Sequence, residues 1–167
     1  GEKARYKANV EAIRLVKQLE AEGRYATEAE QVILSKYVGW GGLANAFSDK
    51  KADWAKEYSE LKELLTDEEY SSARGSTLNA HYTDISVIKA MYDGLKQLGF
   101  TGGRMLEPSS GVGNFVGAMP ADMTAQVKSW TMVELDNMTG LFAKYLYPNA
   151  DVRIQGFEQA NIPDGYM

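Results

Sequence analysis

The sequence predicts an α/β chain in which a helical region, residues 1–75, precedes a parallel βαβαβ half-sheet within residues 76–167. Three observations carry that expectation. Apolar residues recur at helical spacing between helix caps and stops through the first 75 positions. After Ser76, short apolar runs alternate with helical patterns, the texture of βαβ units and a parallel sheet. A glycine-rich turn then follows the first of those runs.

The helical region reads as four segments. Residues 3–22 form an amphipathic helix, with Val10, Ile13, Leu15, Val16 and Leu19 near helical spacing and Gly23 as its stop. Thr27 and Glu30 make a capping-box pattern that opens a second helix through about Tyr37. Gly39-Trp40-Gly41-Gly42 breaks regular structure; Trp40 either packs between helices or walls a ligand site. Ser48 is expected to cap a third helix with Trp54, Tyr58, Leu61, Leu64 and Leu65 as its stripe. Thr66 and Glu69 repeat the capping box and start a short helix ending near Gly75.

The second half opens with Thr83 or Asp84 capping a helix whose stripe is Ile85, Ile88, Met91, Tyr92 and Leu95, closed by Gly99. Residues 104–107 are the first strand. A short helix is expected over 113–119, a second strand over 129–133 ending at Glu134, a helix over 137–146 and a third strand over 151–154.

Composition narrows the function classes. With 44% apolar and 25% charged residues, the 167-residue chain has the make-up of a soluble globular protein. No apolar run approaches the roughly 18 residues needed to span a bilayer, and Glu2, Lys3, Arg5 and Lys7 interrupt any leader-like stretch. A cytoplasmic location fits best. The absence of cysteine excludes disulfides, thiolate zinc sites and a cysteine nucleophile, and no metal site is expected. A net charge of −5 argues against strong non-specific binding to nucleic acid by this segment alone.

The chemistry gathers at three strand ends, where an open α/β sheet binds its ligand. Leu106-Glu107-Pro108-Ser109-Ser110-Gly111-Val112-Gly113-Asn114-Phe115 comes first, its glycines allowing a tight turn and close ligand approach. Val133-Glu134-Leu135-Asp136 places a carboxylate at the next tip, where it can accept both hydroxyls of a ribose. Glu134 stands 21 residues after Gly113, near the spacing of about 20 usual for that contact. Gly156-Phe157-Glu158 follows the third strand and offers an aromatic ring to an adenine face. Spacing leaves S-adenosylmethionine and a dinucleotide both open, since Gly111-x-Gly113-x-x-x-Gly117 also resembles some nicotinamide-binding loops. Charge tips the balance towards the methyl donor: Glu107 would repel a pyrophosphate but favour the ammonium and sulfonium of S-adenosylmethionine.

These strings resemble the leading motifs of the adenine-N6 DNA methylases, which are class I (Rossmann-like) S-adenosylmethionine-dependent methyltransferases. Lys36-Tyr37-Val38-Gly39-Trp40-Gly41-Gly42-Leu43 and Ser76-Thr77-Leu78-Asn79-Ala80-His81-Tyr82-Thr83 resemble large proteins of mobile genetic elements (conjugative elements and phages), proteins that join such a module to an SNF2-type helicase. The resemblance implies a donor site: Tyr82 and Thr83 at the methionine end, Glu107 and Gly111 at the amino-acid portion, and Pro108, Ser109, Gly113, Asn114 and Phe115 as the rest of the cofactor-binding loop. Glu134 would take the ribose, and Leu135 and Phe157 the adenine. His81 reads as a loop or cap residue rather than a base.

Two departures follow. Relatives carry an Asp where Gly156 stands, leaving Glu158 as its substitute candidate. None of Pro108, Pro120, Pro148 and Pro163 adjoins another, so the Asn/Asp-Pro-Pro-aromatic motif that holds the target amine is missing and no catalytic residue is expected. The expectation is an S-adenosylmethionine-binding portion, inactive alone, of a DNA methyltransferase whose full polypeptide meets DNA. The alternatives are a dinucleotide-binding domain and a non-catalytic scaffold that binds DNA or protein. In the class I arrangement the first strand lies mid-sheet, so a half-sheet would expose its edge and favour a homo-oligomer.

Overall fold

The computed structural model describes residues 1–79 and 82–167, and the chain divides into two compact units, Gly1–His81 and Tyr82–Met167. The chain is α/β, with helices and one three-stranded parallel sheet, as its pattern predicts. Among the described residues no helix is long and apolar enough to cross a membrane.

The first unit is helical. Helix α1 (Glu2–Glu22) buries Tyr6, Val10, Ile13, Val16 and Leu19 along one stripe. It ends at Gly23 with φ 61°, where the N–H groups of Gly23 and Arg24 close back on the carbonyls of Glu20 and Leu19. Helix α2 (Glu28–Leu34) has the expected capping box: Thr27 Oγ1 accepts from the Glu30 N–H, and Glu30 Oε2 accepts from the Thr27 N–H. It stops at Leu34, short of Tyr37.

Two further helix ends differ from those expected. Ser48 caps no helix: it is extended, and its hydroxyl accepts from the Lys50 N–H at 3.3 Å in a local turn. Helix α3 (Ala55–Leu64) starts instead after a 3-10 turn ending at buried Trp54. Helix α4 (Asp67–Asn79) runs past Gly75, because a lone glycine in αR geometry weakens a helix by about 1 kcal/mol without ending it. Its start keeps the expected box between Thr66 and Glu69.

Aromatic rings fill this core. Trp40 is 3% exposed, with its ring 5.2 Å edge-on to Phe47 and 6.3 Å from Tyr6, so it packs between helices. The loop carrying it is tied down by one buried polar side chain. Asn9 Nδ2 donates to the Gly39 carbonyl at 2.6 Å, and Asn9 Oδ1 accepts from the Val38 N–H at 3.0 Å.

The second unit begins at helix α5 (Ile85–Gln97), capped by Asp84, whose Oδ1 accepts from the Ser86 N–H at 2.8 Å. Its buried stripe is narrower than predicted. Ile88 and Tyr92 face a core with Met119 and Met123, while Ile85 and Met91 are exposed. Met91 stands off the 88–92–95 line and shares a second, outward stripe with Val87 and Leu98.

Strands β1 (Gly103–Glu107), β2 (Val127–Glu134) and β3 (Asp151–Ile154) pair parallel in the order β1-β2-β3. Helices α6 (Asn114–Ala118) and α7 (Ala121–Thr124) connect the first pair, and α8 (Asn137–Leu146) the second. The register sets Glu107 opposite Met132 and Glu134 opposite Ile154, so the three strands end at the same side of the sheet. β1 is an outer strand, paired on one edge only among the described residues.

Asn9 gives the fold its clearest test. Asn9→Ala strands a buried carbonyl and a part-buried N–H, and should lower stability by roughly 1–3 kcal/mol, as for loss of buried hydrogen-bond partners. Chemical denaturation of the wild-type and variant chains measures the difference.

Candidate functional site

The turn after β1 is built by hydrogen bonds to the tip of β2. The Ser110 N–H donates to the Val133 carbonyl at 2.9 Å, the Gly111 N–H to Glu134 Oε2 at 2.8 Å, and the Gly113 N–H to the Ser110 carbonyl at 3.0 Å. Gly111 and Gly113 adopt φ values of +54° and +94°, a left-handed backbone that side chains disfavour. A methyl on Gly113 would also lie 2.9 Å from Met132 Cε and overlap the Tyr147 ring, whose hydroxyl end reaches beneath Gly117. Much of the glycine pattern therefore makes room for Tyr147 inside the protein. Burial pushes the Tyr147 phenol up.

Glu134 is the hub. Its Oε2 holds the Gly111 N–H, and its Oε1 accepts from the Asp136 N–H at 2.9 Å. Asp136 in turn caps α8, its Oδ2 accepting from the Thr139 N–H at 2.9 Å and the Thr139 hydroxyl at 2.6 Å. Tyr82 reaches the same place: its Cε1 lies 3.9 Å from where a Gly111 side chain would begin. Its phenol is pushed up by burial, then by the charges of Glu134 and Asp136. Thr83 follows it, exposed.

The rim beyond is apolar. The Gln155 N–H donates to the Glu134 carbonyl at 2.9 Å, so Leu135 and Phe157 leave neighbouring strand ends. Leu135 is 76% exposed and Phe157 50%. Two large apolar side chains exposed after neighbouring strand ends suit the flat face of a heterocycle.

The remaining expected residues divide. Pro108 and Ser109 form the exposed outer turn, and Asn114 starts α6, partly buried. Phe115 is turned inward, its ring 6.4 Å from that of Tyr92, and the Tyr92 hydroxyl donates to the Phe115 carbonyl at 2.6 Å. Ala80 and His81 of the Asn79–Thr83 string lie outside the described residues. Ser110, Asp136 and Tyr147 complete the site without having been singled out as ligand contacts. The Asp-x-x-Thr spacing of Asp136 and Thr139 is a legible cap, whereas no local signal marks Tyr147.

Glu107 is partly buried at the tip of β1, and burial alone pushes its carboxyl up. No cation pairs with it among the described residues, so it is an acceptor that a cationic ligand would satisfy. An acid whose folded pKa is raised contributes most to stability below its unfolded pKa, near 4.5, and loses that contribution as pH rises through the folded value. Glu107→Gln should therefore raise the melting temperature at pH 7, with the gain vanishing near pH 4, measured in thermal melts at both pH values.

Comparison with known proteins adds a little. No family model matches the chain. It is 25% identical over 158 residues to the "Defense against restriction protein B" of Escherichia phage P1; the match covers 95% of this chain and 5% of that protein. A Listeria monocytogenes structure assigned to the class I S-adenosylmethionine-dependent methyltransferases aligns at TM-score 0.38 and 13% identity, over 93% of this chain and 55% of that one. A score that low leaves the family open.

Proposed function

We propose that the unit Tyr82–Met167 binds S-adenosylmethionine, as the donor-binding part of an adenine-N6 DNA methyltransferase. The observation that carries the reading is the state of the loop amides. A pyrophosphate needs bare backbone N–H groups at a helix start. Here the N–H groups of Ser110, Gly111 and Gly113 are already bonded to Val133, Glu134 and Ser110, and the helix that follows has five residues. The surrounding carboxylates, Glu107 and Glu134, oppose an anion further. The same residues fit the methyl donor. Glu134 keeps lone pairs for two ribose hydroxyls, Glu107 answers a cationic amino-acid end, and Leu135 and Phe157 offer apolar faces to adenine.

S-adenosylmethionine supplies an electrophilic methyl group; this chain binds and orients it. No Asn/Asp-Pro-Pro-aromatic string occurs in the 167 residues, so we assign the unit to donor rather than target-base binding. The target adenine would leave the duplex stack. DNA modification also suits a relative named for defence against restriction, because methylated recognition bases resist cleavage.

Isothermal titration tests the reading. S-adenosylhomocysteine should bind and NAD should not. Glu134→Ala should weaken binding by roughly 10- to 150-fold, the loss of a charged hydrogen-bonding group. Binding of NAD without a response to the adenosyl ligand would favour a dinucleotide site. In the intact polypeptide, unchanged biological activity of Glu134→Ala without detectable DNA methylation would favour a scaffold.

The unpaired edge of β1 supports a second proposal, that two copies of the chain associate there, since open apolar strand edges recruit partners. Light scattering at micromolar concentration should return a dimer mass. A monomer mass would sink the idea.

A further inference from the structure

Resting on the donor site proposed above, we infer that Tyr147 is a positioning residue for it: its ring sets where α6 lies, and through α6 the loop that Glu134 holds. The argument starts at Gly117. Unlike Gly111 and Gly113 it has no positive φ, and it stands inside the five-residue helix α6, where alanine is the better helix former. No backbone need explains a glycine there, but space does. A methyl at position 117 would overlap the Tyr147 hydroxyl oxygen, while the ring carbon behind that oxygen, Cζ, would stand 3.6 Å away in ordinary contact.

The ring spans a full turn of that helix. The Gly117 N–H donates to the Gly113 carbonyl at 2.9 Å, and the Cδ2–Cε2 edge of Tyr147 meets Gly113 while its hydroxyl meets Gly117. Tyr147 has little room to yield. Its ring edge and Met132 Cε crowd the same point beside Gly113. Its backbone is fixed on both sides, the N–H donating to the Ala143 carbonyl at 2.9 Å and the carbonyl accepting from the Ala150 N–H at 3.0 Å.

Bulk added at position 117 therefore displaces α6. Gly113 is the N-cap of α6, and its N–H bonds to the Ser110 carbonyl, while the Ser110 and Gly111 N–H groups are tied to Val133 and Glu134. A shift of α6 passes through these bonds to the Gly111 N–H and the Glu134 carboxylate that accepts it. Tyr147 thus acts through the loop and not on the ligand itself.

Two substitutions meet at the contact: Gly117→Ala adds the clash, and Tyr147→Phe removes the oxygen that causes it. Isothermal titration with S-adenosylhomocysteine and hydrogen exchange of the Gly111 amide, relative to amides within β2, are measured for wild type, both single variants and the double variant. Gly117→Ala should weaken binding and speed that exchange by about tenfold each, an overpacking cost of ordinary size. Tyr147→Phe alone, and the double variant, should stand within about twofold of wild type in both, because the two changes are coupled at one contact. If Gly117→Ala leaves either readout at its wild-type value, or the double variant is no better than Gly117→Ala, the inference is overturned and the adenosyl reading stands. Should Gly117→Ala fail to fold, recovery of fold and binding in the double variant upholds the inference, and continued loss overturns it. If wild type binds no adenosyl ligand, the adenosyl reading falls, and the exchange of the Gly111 amide alone decides the role of Tyr147.

Discussion

Two backbone N–H groups, of Gly111 and Asp136, converge on the Glu134 carboxylate, and the turns at the strand tips of the second unit depend on that convergence. Parallel strands deliver their chains into turns whose N–H groups have no strand partner, and each must find an acceptor. Glu134 accepts from the turn after its own strand and from the turn after the neighbouring one. A carboxylate offers about four lone-pair directions, so two remain after these bonds. One side chain thus fixes two turns and keeps lone pairs unused. A neutral residue there would free the loop N–H groups and alter the chemistry of the site together with its shape.

The glycines follow from the same economy of space. Gly113 lets Tyr147 lie against the start of α6, and Gly140 lets α8 settle on Ile154, where a methyl would come within 2.8 Å. The loop's N–H groups are occupied in turn by Val133, Glu134 and Ser110. A loop that satisfies itself in this way is a poor cradle for phosphate and a good platform for a cation and a ribose.

The first unit solves a different problem. Its glycine-tryptophan string, Gly39 to Gly42, is drawn into an aromatic core by Asn9 and by the Trp40 and Phe47 rings. Surface charge supports it at the edges: Arg24 binds Glu30 through both guanidinium ends at 2.8 and 2.7 Å, holding the Glu30 carboxyl down to about 2. The residues of that string are explained by packing within their own unit.

What could be read from the sequence was whatever depends on neighbours along the chain. The capping boxes of Thr27 and Thr66, the stop at Gly23, the parallel strands and the positions of Glu107 and Glu134 all express local backbone needs at fixed spacing. The misplaced ends, at Ser48 and Gly75, are places where a local signal was too weak to decide alone: a serine can serve a turn as readily as a helix, and a glycine can be carried through one. Tertiary structure decided the rest, because it turned on distance between residues far apart in sequence. Only folding brings Tyr147 under Gly113, turns Phe115 towards Tyr92, leaves Met91 outside the core and bonds the Gly111 N–H to Glu134. No spacing rule encodes those contacts, since each arises where the sheet register and the helix packing happen to bring two surfaces together.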